Sequence, residues 1–220
     1  MRILIFGDLH LSTKFNQAKF NKIVNLVNSV DEVIINGDFW DSAYCNFDEF
    51  TKSKWNQLFP VLKRKSAIYL YGNHDKKEWC DDRVTLFSVK QGKTYEIDFS
   101  NHKVYAMHGD NQVYGSHWQK MPDWLEKFLW RIGNVIEGTL VKIFGKHFLK
   151  WYHKGTNNRF KEAKLKEFGV EPLVFYNHTH AQERDDKTRC HNTGCMKYGL
   201  FQYVIFDTKT GDIEFYDESY

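Results

Sequence analysis

Five short apolar runs in this chain each end in side chains that can bind a metal ion or a proton. Open α/β folds keep their sites at the carboxyl ends of strands, because loops from neighbouring strands meet there. The order of these runs therefore predicts one site, built from distant parts of the chain. The runs end in Asp8-Leu9-His10, in Asp38 with Asp41, in Gly72-Asn73-His74-Asp75, in His108-Gly109-Asp110 and in His178-Thr179-His180.

The first seventy residues predict alternating strands and helices. Apolar runs of four or five residues alternate with stretches whose apolar side chains recur at helical spacing. Such β-α-β units place consecutive strands side by side and parallel, so we expect the loops that carry Asp8 and Asp38 to be neighbours. The predicted order is strand 2–6, helix 16–30, strand 33–36, helix 47–63 and strand 67–70.

The pattern changes after residue 84 to short alternating runs, which predict antiparallel strands of a second sheet. These runs are Val84–Phe87, Lys93–Phe99 and Lys103–Met107, with a turn expected at Gln91-Gly92. A strand over 173–176 precedes His178, and runs 201–206 and 213–216 predict a final hairpin. We expect residues 1–220 to form a single domain, because a chain of this length buries one sizeable core.

Residues 113–168 interrupt the strand pattern and are helical in character. Residues 111–167 contain 11 Lys/Arg and 5 Asp/Glu, whereas the net charge of the whole chain is only +3. We therefore predict a basic helical cap insertion. Two interpretations stay open: a helical hairpin packed on the body by its apolar side, or a cap that offers an apolar groove and cations to an amphipathic phosphate ester or lies on an anionic membrane.

Within this insertion, Lys154, Asn158 and Arg159 are predicted to bind substrate phosphate, because cations and amides bind its oxygens. Asp41 is predicted to join them. Single-stranded nucleic acid is a rival ligand, since tryptophans next to Lys or Arg also stack on bases. Cys190 and Cys195 flank a short polar loop, which indicates either a small metal cluster or incidental thiols near the site.

The compartment expected from the sequence is a reducing cytoplasm, with peripheral membrane contact through the cap as a further expectation. The four cysteines lack zinc-like spacing, and no signal peptide precedes the strand that starts at Arg2. No apolar run reaches the roughly 20 residues that span a bilayer. No obligate protein partner is inferred.

The donors in the five blocks are Asp, Asn and His without a thiolate. Such donors suit Mn²⁺, Fe²⁺ or Fe³⁺, Zn²⁺ or Mg²⁺. Each block alone is more often a surface pair or a buried structural histidine than a metal site. As a set, seven donors are too many for one four-coordinate ion but suit two ions that share a carboxylate, an arrangement that supports in-line displacement at phosphorus.

In this order, the five blocks resemble those of the calcineurin-like metallophosphoesterase superfamily, from residue 8 to residue 180. The resemblance implies an α/β (α+β) fold, a four-layer αββα sandwich of two mixed sheets flanked by helices. It also implies a ligand set for two divalent ions, with Mn expected and Fe, Zn or Mg as alternatives. The first ion would be held by Asp8, His10 and His180, the second by Asn73, His108 and His178, with Asp38 bridging.

The implied activity is that of a metal-dependent phosphohydrolase, in which a metal-bridging hydroxide attacks phosphorus in line. His74 is the candidate for protonating the leaving oxygen, and Asp75 for orienting His74 through a hydrogen bond. The alternative is that His74 only caps its loop. One departure from the family is Asn177, where glycine usually precedes the last His-x-His pair.

Within the superfamily, the chain resembles most the branch of UDP-2,3-diacylglucosamine pyrophosphohydrolases. The block Gly37-Asp38-Phe39-Trp40-Asp41 and the helical insertion carry that likeness, and Ser42-Ala43 after it disfavours the protein Ser/Thr phosphatases. His74 stands where typical enzymes of that branch have arginine. The predicted function is hydrolysis of a phosphodiester or pyrophosphate bond in a lipid nucleotide of this kind; nucleotide or nucleic-acid phosphodiesterases and a non-catalytic scaffold are the alternatives.

Overall fold

Two mixed β-sheets form the body of the protein in a computed structural model, which describes residues 1–100, 102–114 and 122–220. Across the first sheet the strands are β11 (Ile213–Ser219), β10 (Leu200–Asp207), β1 (Arg2–Phe6), β2 (Glu32–Asn36), β3 (Ile68–Leu70) and β4 (Lys90–Gly92). Across the second they are β5 (Thr94–Phe99), β6 (His102–Met107), β7 (Leu173–Tyr176), β9 (Cys190–Asn192) and β8 (Glu183–Asp185). Strands β1 to β4 are parallel, as are β6, β7 and β9, and the remaining neighbours are antiparallel.

The helices lie in connections between these strands. They are α1 (Gln17–Asn28), α2 (Phe47–Lys52), α3 (Phe59–Arg64), α4 (Asp110–Tyr114), α5 (Asp123–Phe144) and α6 (Lys146–Phe168). Short 3₁₀ helices cover Lys54–Leu58, Lys77–Trp79 and Asp82–Leu86. No helix in the described part of the chain is long and apolar enough to cross a membrane.

Alternation along the strands determines which side chains face which layer. In β1, Ile3 and Ile5 pack between the two sheets, whereas Leu4 and Phe6 pack toward α1 and α3 on the outer side of the first sheet. The outer side of the second sheet is covered by α6, whose Phe160 is fully buried. The layers are therefore helix, sheet, sheet and helix, and the predicted fold class is confirmed.

Three sequence predictions in the first half are wrong in detail. The helix expected over 47–63 is broken into α2, a 3₁₀ turn and α3, because Ser53 adopts an extended backbone and its side chain caps the next turn. The run Val84–Phe87, expected as a strand, belongs to a 3₁₀ helix capped by the Asp81 side chain. The turn expected at Gln91-Gly92 is part of β4, which extends the first sheet.

The insertion expected over 113–168 contains two long helices, α5 and α6. They are joined at Gly145, whose φ of 66° lies in the left-handed region that glycine adopts freely. Residues 113 and 114 belong to α4, and residues 115–121 lie outside the described residues. The ring of Phe160 in α6 stacks on Tyr176 of β7 at a centroid distance of 3.8 Å, which anchors the insertion to the second sheet.

We predict that Phe160→Ala lowers the free energy of unfolding by about 3–5 kcal/mol, the usual cost of removing a buried aromatic ring. Urea denaturation followed by circular dichroism measures this change. The matched control is Trp151→Ala on the same helix, where the side chain is 75% exposed and the expected change is below about 0.5 kcal/mol. Equal losses in the two variants would contradict the anchoring role of Phe160.

Candidate metal centre

The carboxyl ends of β1, β2, β3, β6 and β7 meet on one side of the two sheets. Each end carries one of the five sequence blocks, so the structure brings together side chains that are up to 172 positions apart. Asp8, His10 and His180 place one ligand atom each within 4.8 Å of the others, and so do Asp8, Asp38 and His108. The expectation of a single site at this edge agrees with the geometry.

The backbone at this site is held in an uncommon conformation. Five of the residues that carry donors have φ in the left-handed region, which costs non-glycine residues free energy and is concentrated at functional sites. Two glycines leave room for the donors: a Cβ on Gly37 would lie 2.4 Å from His108 Nδ1, and one on Gly72 would lie 2.2 Å from Asp38 Oδ1. The five φ values are 51° for Asp8, 46° for His10, 51° for Asp38, 74° for His178 and 56° for His180.

The first cluster joins Asp8, His10 and His180. The Nδ1 atom of His10 lies 3.1 Å from Asp41 Oδ2, and the Nδ1 atom of His180 lies 2.8 Å from Glu137 Oε2. Because a carboxylate only accepts, each Nδ1 carries a proton, and in the neutral ring each Nε2 presents a lone pair. These two Nε2 atoms are 3.0 Å apart, and each lies 3.9 Å from Asp8 Oδ1.

Such an arrangement fits a cation. Two imidazole lone pairs at this separation repel each other unless a positive charge lies between them. Asp8 Oδ1 is buried and has no hydrogen-bond partner among the described residues, and an orphaned buried oxygen of this kind is costly. The carboxylate, the two imidazoles and the hydrogen bonds at Nδ1 together match the first and second shells of a metal ion.

The second cluster joins Asn73, His108 and His178. The Nδ1 atom of His108 donates to the carbonyl of Asn36 at 3.0 Å, which directs Nε2 into the site. This Nε2 lies 3.1 Å from Asn73 Oδ1, and His178 Nδ1 lies 2.9 Å from the same amide oxygen. Two imidazole nitrogens and an amide oxygen therefore converge here as well.

Asp38 lies between the two clusters. Its Oδ2 atom is 3.6 Å from His10 Nε2 and 3.4 Å from His108 Nε2. The side chain is 2% exposed, so these contacts replace solvent. A single carboxylate is thus placed to serve both groups of donors.

The charges within the site perturb several pKa values. Burial alone would raise the pKa of Asp38, but the nearby imidazoles of His108 and His74 hold it well below its usual value. Burial would lower the pKa of His108, but Asp38 raises it to about 10. Burial lowers the pKa of His10 to about 3 and raises that of Asp8. In the metal-free protein, protonated His108 thus balances buried negative charge. A bound cation would replace the proton, so metal binding would release protons.

The carboxylate in contact with His74 is Asp41 rather than the expected Asp75. Asp41 Oδ1 lies 3.0 Å from His74 Nδ1, and its other oxygen binds His10. Asp41 was expected to bind substrate, but it is fully buried between the two rings, so it orients them instead. Asp75 is also fully buried, and its oxygens are occupied by backbone N–H groups. These donors are Asp38 at 3.1 Å, Phe39 at 2.7 Å and Gly72 at 2.7 Å.

Helix α5 supplies side chains to the site that the sequence analysis did not predict. Trp130 stacks on the ring of His74 at a centroid distance of 3.9 Å, and Asn134 Nδ2 lies 3.4 Å from Asp41 Oδ2. Glu137 binds His180, and its interaction with His180 and its hydrogen bond with His153 hold its pKa well below the usual value despite its burial. The spacing of these residues by three or four positions is the pattern that could have identified this face.

The three predicted phosphate-binding residues of α6 do not line the cleft beside the metal centre. Lys154, Asn158 and Arg159 are exposed on the outer side of the helix. The α6 residues that line the cleft are instead Phe148, Tyr152 and His153. Their positions along α6 explain this difference. The side of the helix that faces the body carries Asn157, which donates to Glu183 and accepts from Thr179.

The cleft between the cap helices and the body has a volume of about 980 Å³. Its floor contains His74, Asn73 and His178, and Lys76 and Lys93 stand at its side. The wall contributed by the two helices combines an apolar group of side chains with the polar side chains of Asp123, Glu126, Asn134, Glu137 and His153. The apolar group includes Leu129, Trp130, Ile136, Leu140, Phe148 and Tyr152.

The surroundings of Asn177 and of the two cysteines indicate structural roles for these residues. Asn177 accepts from Asn36 Nδ2 at 2.8 Å and donates to the Gly194 carbonyl at 2.6 Å, so it links the two sheets below the site. Cys190 and Cys195 are buried free thiols. Within the described part of the chain, neither belongs to a group of donors that could hold a metal, which favours incidental thiols over a metal cluster.

Comparison with known proteins gives one family. A family model described as calcineurin-like phosphoesterase matches residues 1–182. A search of curated proteins gives no match.

Similar solved structures include an archaeal phosphodiesterase, at 19% identity, with 99% of each chain covered and a TM-score of 0.48. They also include the phosphoesterase Yfce from E. coli, at 13% identity, with 97% of this chain and 96% of that chain covered and a TM-score of 0.46. Vps29 from Entamoeba histolytica in complex with Zn²⁺ has 14% identity, covers 100% of this chain and 99% of that chain, and has a TM-score of 0.44. At these sequence identities and TM-scores, the structural similarities indicate neither the substrate nor a binding partner of this chain.

We predict that Asp8→Asn changes stability and metal affinity in opposite directions. Removing a buried negative charge whose Oδ1 atom has no hydrogen-bond donor should stabilise the metal-free protein by about 1–2 kcal/mol, and asparagine tolerates the left-handed backbone. Losing the anionic donor should weaken metal binding. Urea denaturation in chelator and metal titration measure the two effects, with exposed Asp98→Asn as the control. Unchanged metal affinity in Asp8→Asn would contradict the assignment.

Proposed function

Because the chain belongs to the calcineurin-like phosphoesterase family and is a metal-dependent phosphohydrolase, we propose that it uses two divalent ions to hydrolyse a phosphodiester or pyrophosphate bond. The observation that carries this proposal is the convergence of buried acceptor atoms around the Asp38 carboxylate. Acceptors packed against one another in this way are stabilised by protons or metal cations between them. Two groups of donors that flank one carboxylate suit a pair of ions.

The proposed ligands follow the two clusters. Asp8, His10 and His180 would hold one ion, and Asn73, His108 and His178 the other, with Asp38 shared between them. Oxygen and imidazole donors without thiolate support Mn²⁺ as the resident ion, with Fe, Zn or Mg as the alternatives. When bound, such a pair lowers the pKa of water between the ions and polarises a phosphoryl oxygen.

His74 is the proposed proton donor to the leaving oxygen. Its Nδ1–H donates to Asp41, so the proton available to a substrate is on Nε2. Burial alone would lower the pKa of His74, but the carboxylates of Asp41 and Asp38 outweigh it and raise the pKa, which favours the protonated ring. Trp130 stacks on this ring and restricts its orientation. Asp75 would act indirectly, by binding the backbone of the two loops that carry Asp38 and His74.

The proposed substrate is an amphipathic phosphate ester, such as a nucleotide-linked lipid similar to UDP-2,3-diacylglucosamine. The cleft supports this choice because its wall is apolar at Leu129, Ile136, Leu140 and Phe148, whereas Lys76, which is paired with Glu126 at 3.0 Å, and Lys93 are the cations along it. A nucleic acid is less favoured, because Lys154 and Arg159 lie outside the cleft.

The outer face of α5 supports peripheral contact with an anionic membrane. Trp124, Phe128, Ile132 and Val135 recur every three or four residues and are 71%, 53%, 43% and 66% exposed. Exposed Lys142 and other cations of the insertion would meet lipid phosphates. A cytoplasmic location is the companion proposal, and the free thiols of all four cysteines suit a reducing compartment.

We predict that the metal-stripped protein regains turnover on addition of divalent ions, with Mn²⁺ the most effective. The substrates compared would be bis(p-nitrophenyl) phosphate, a UDP-linked diacyl sugar and single-stranded DNA. The proposal expects the highest kcat/KM for the diacyl sugar, because only this substrate fills the apolar wall. A preference for DNA would overturn the substrate assignment, and two bound ions without any turnover would favour a scaffold.

We predict that His74→Ala retains metal content but loses about 10²–10⁴-fold in kcat, the usual contribution of a positioned acid. A substrate whose leaving group needs no proton, such as a p-nitrophenyl ester, should lose less. Metal content by elemental analysis and kcat for both substrate types measure these effects. Unchanged turnover would contradict the catalytic role, and loss of metal would reassign His74 to the structure of the site.

We predict that Trp124→Glu with Phe128→Glu reduces binding to vesicles of phosphatidylcholine and phosphatidylglycerol by at least tenfold, measured by co-sedimentation. The reason is the loss of apolar insertion together with new repulsion from anionic lipid. The control is Leu86→Glu, a residue that is 52% exposed on another surface. Equal sedimentation of all three proteins would rule out the α5 face as the contact.

A further inference from the structure

We infer that Glu137 is a positioning residue for the metal ligand His180, so that the cap helix α5 completes the metal centre. This inference rests on the proposed two-ion function. It concerns two quantities: the affinity of one ion, and the coupling between binding of that ion and docking of the cap. The family's ligand set determines neither quantity.

The hydrogen bond from His180 Nδ1 to Glu137 Oε2 is 2.8 Å long. It holds the proton on Nδ1 and directs the lone pair of Nε2 toward His10 and Asp8. The Glu137 side chain is only 14% exposed, so this contact is shielded from solvent. Without the carboxylate, the imidazole is free to change tautomer or rotate.

Two other proposed ligands, His10 and His108, are oriented at Nδ1 by groups of the body. His10 donates to Asp41, in the loop after β2, and His108 donates to the carbonyl of Asn36 at the end of β2. His180 differs because its partner is on the inserted helix α5. Any change that separates α5 from the body therefore removes the orienting group of one proposed ligand and leaves the other two in place.

Glu137 is itself held by neighbours from two other elements. Tyr198 donates its hydroxyl to Glu137 Oε2 at 2.7 Å, and His153 Nε2 in α6 lies 3.1 Å from Oε1. The adjacent Gly138 lets Tyr198 approach, because a Cβ at Gly138 would lie 2.8 Å from Tyr198 Cε1. Gly138 is therefore a close-packing position for α5 against the body.

This geometry links cap docking to metal binding. If the docked cap raises the affinity of the ion held by His180, then binding of that ion must stabilise the docked cap by the same free energy. Amide hydrogen exchange in α5 should consequently slow when metal is added to the wild-type protein. It should slow less in a variant that lacks the Glu137 carboxylate.

The test is a two-site Mn²⁺ titration of the full-length protein by isothermal titration calorimetry, with Glu137→Ala and Glu137→Gln. We expect Glu137→Ala to weaken one of the two sites by 10–100-fold and to leave the other unchanged. Glu137→Gln keeps an acceptor oxygen and should lose less. Electron paramagnetic resonance at one equivalent of excess metal should change from the spectrum of a coupled ion pair to that of a single ion in Glu137→Ala.

A second pair of variants tests the docking without removing any donor. Gly138→Ala should push α5 away from Tyr198 and weaken the same Mn²⁺ site. Gly133→Ala on the same helix has no atom within 4 Å of the added Cβ, so its Mn²⁺ affinity should equal that of the wild type. Circular dichroism and thermal unfolding of the metal-free variants exclude a general loss of structure.

The outcomes separate this inference from the proposed function. If the wild type binds fewer than two ions, the proposed function fails. If the wild type binds two ions and Glu137→Ala binds both with unchanged affinity, only the positioning role is overturned. Equal losses at both sites, or equal effects of Gly138→Ala and Gly133→Ala, would likewise contradict a role specific to His180.

Discussion

Repulsion among acceptor atoms buried at the strand ends is the constraint on which the rest of the structure depends. The Nε2 atoms of His10 and His180 face each other at 3.0 Å, with the unpartnered oxygen of Asp8 beside them. Hydrogen bonds from the opposite side keep these rings in place: carboxylates orient His10 and His180, and a backbone carbonyl orients His108. The left-handed backbone of the ligand loops adds to the cost. A fold that accepts these costs is preorganised for cations.

The inserted helices connect the metal centre with the cleft beside it and with the outer surface of the protein. The side of α5 that faces the body contacts the site: Trp130 stacks on His74, and Glu137 accepts a hydrogen bond from His180. The outer stripe of the same helix exposes Trp124 and Phe128. Most surface helices bury their apolar stripe against the body. The reversed arrangement of α5 is consistent with a cap that helps to build the site and meets an apolar partner outside.

The sequence predicted the meeting of the five blocks because each block directly follows a strand, and strand order in a β-α-β chain determines which loops are neighbours. It could not predict that Asp41 rather than Asp75 contacts His74, because both follow strands and only side-chain direction distinguishes them. The run Val84–Phe87 was misassigned since the capping side chain of Asp81 favours a turn over a strand. Helical periodicity likewise identified the cap helices but not which stripe faces the body, so it could not show that Lys154 and Arg159 lie outside the lining of the cleft.

The central claim is that two ions occupy the donors around Asp38, and anomalous diffraction from a crystal of the Mn²⁺-loaded protein tests it most directly. The account predicts two anomalous peaks on opposite sides of Asp38. One should lie within bonding distance of Asp8, His10 and His180, and the other within bonding distance of Asn73, His108 and His178. A single peak, or peaks that His10 and His180 do not ligate, would contradict the account.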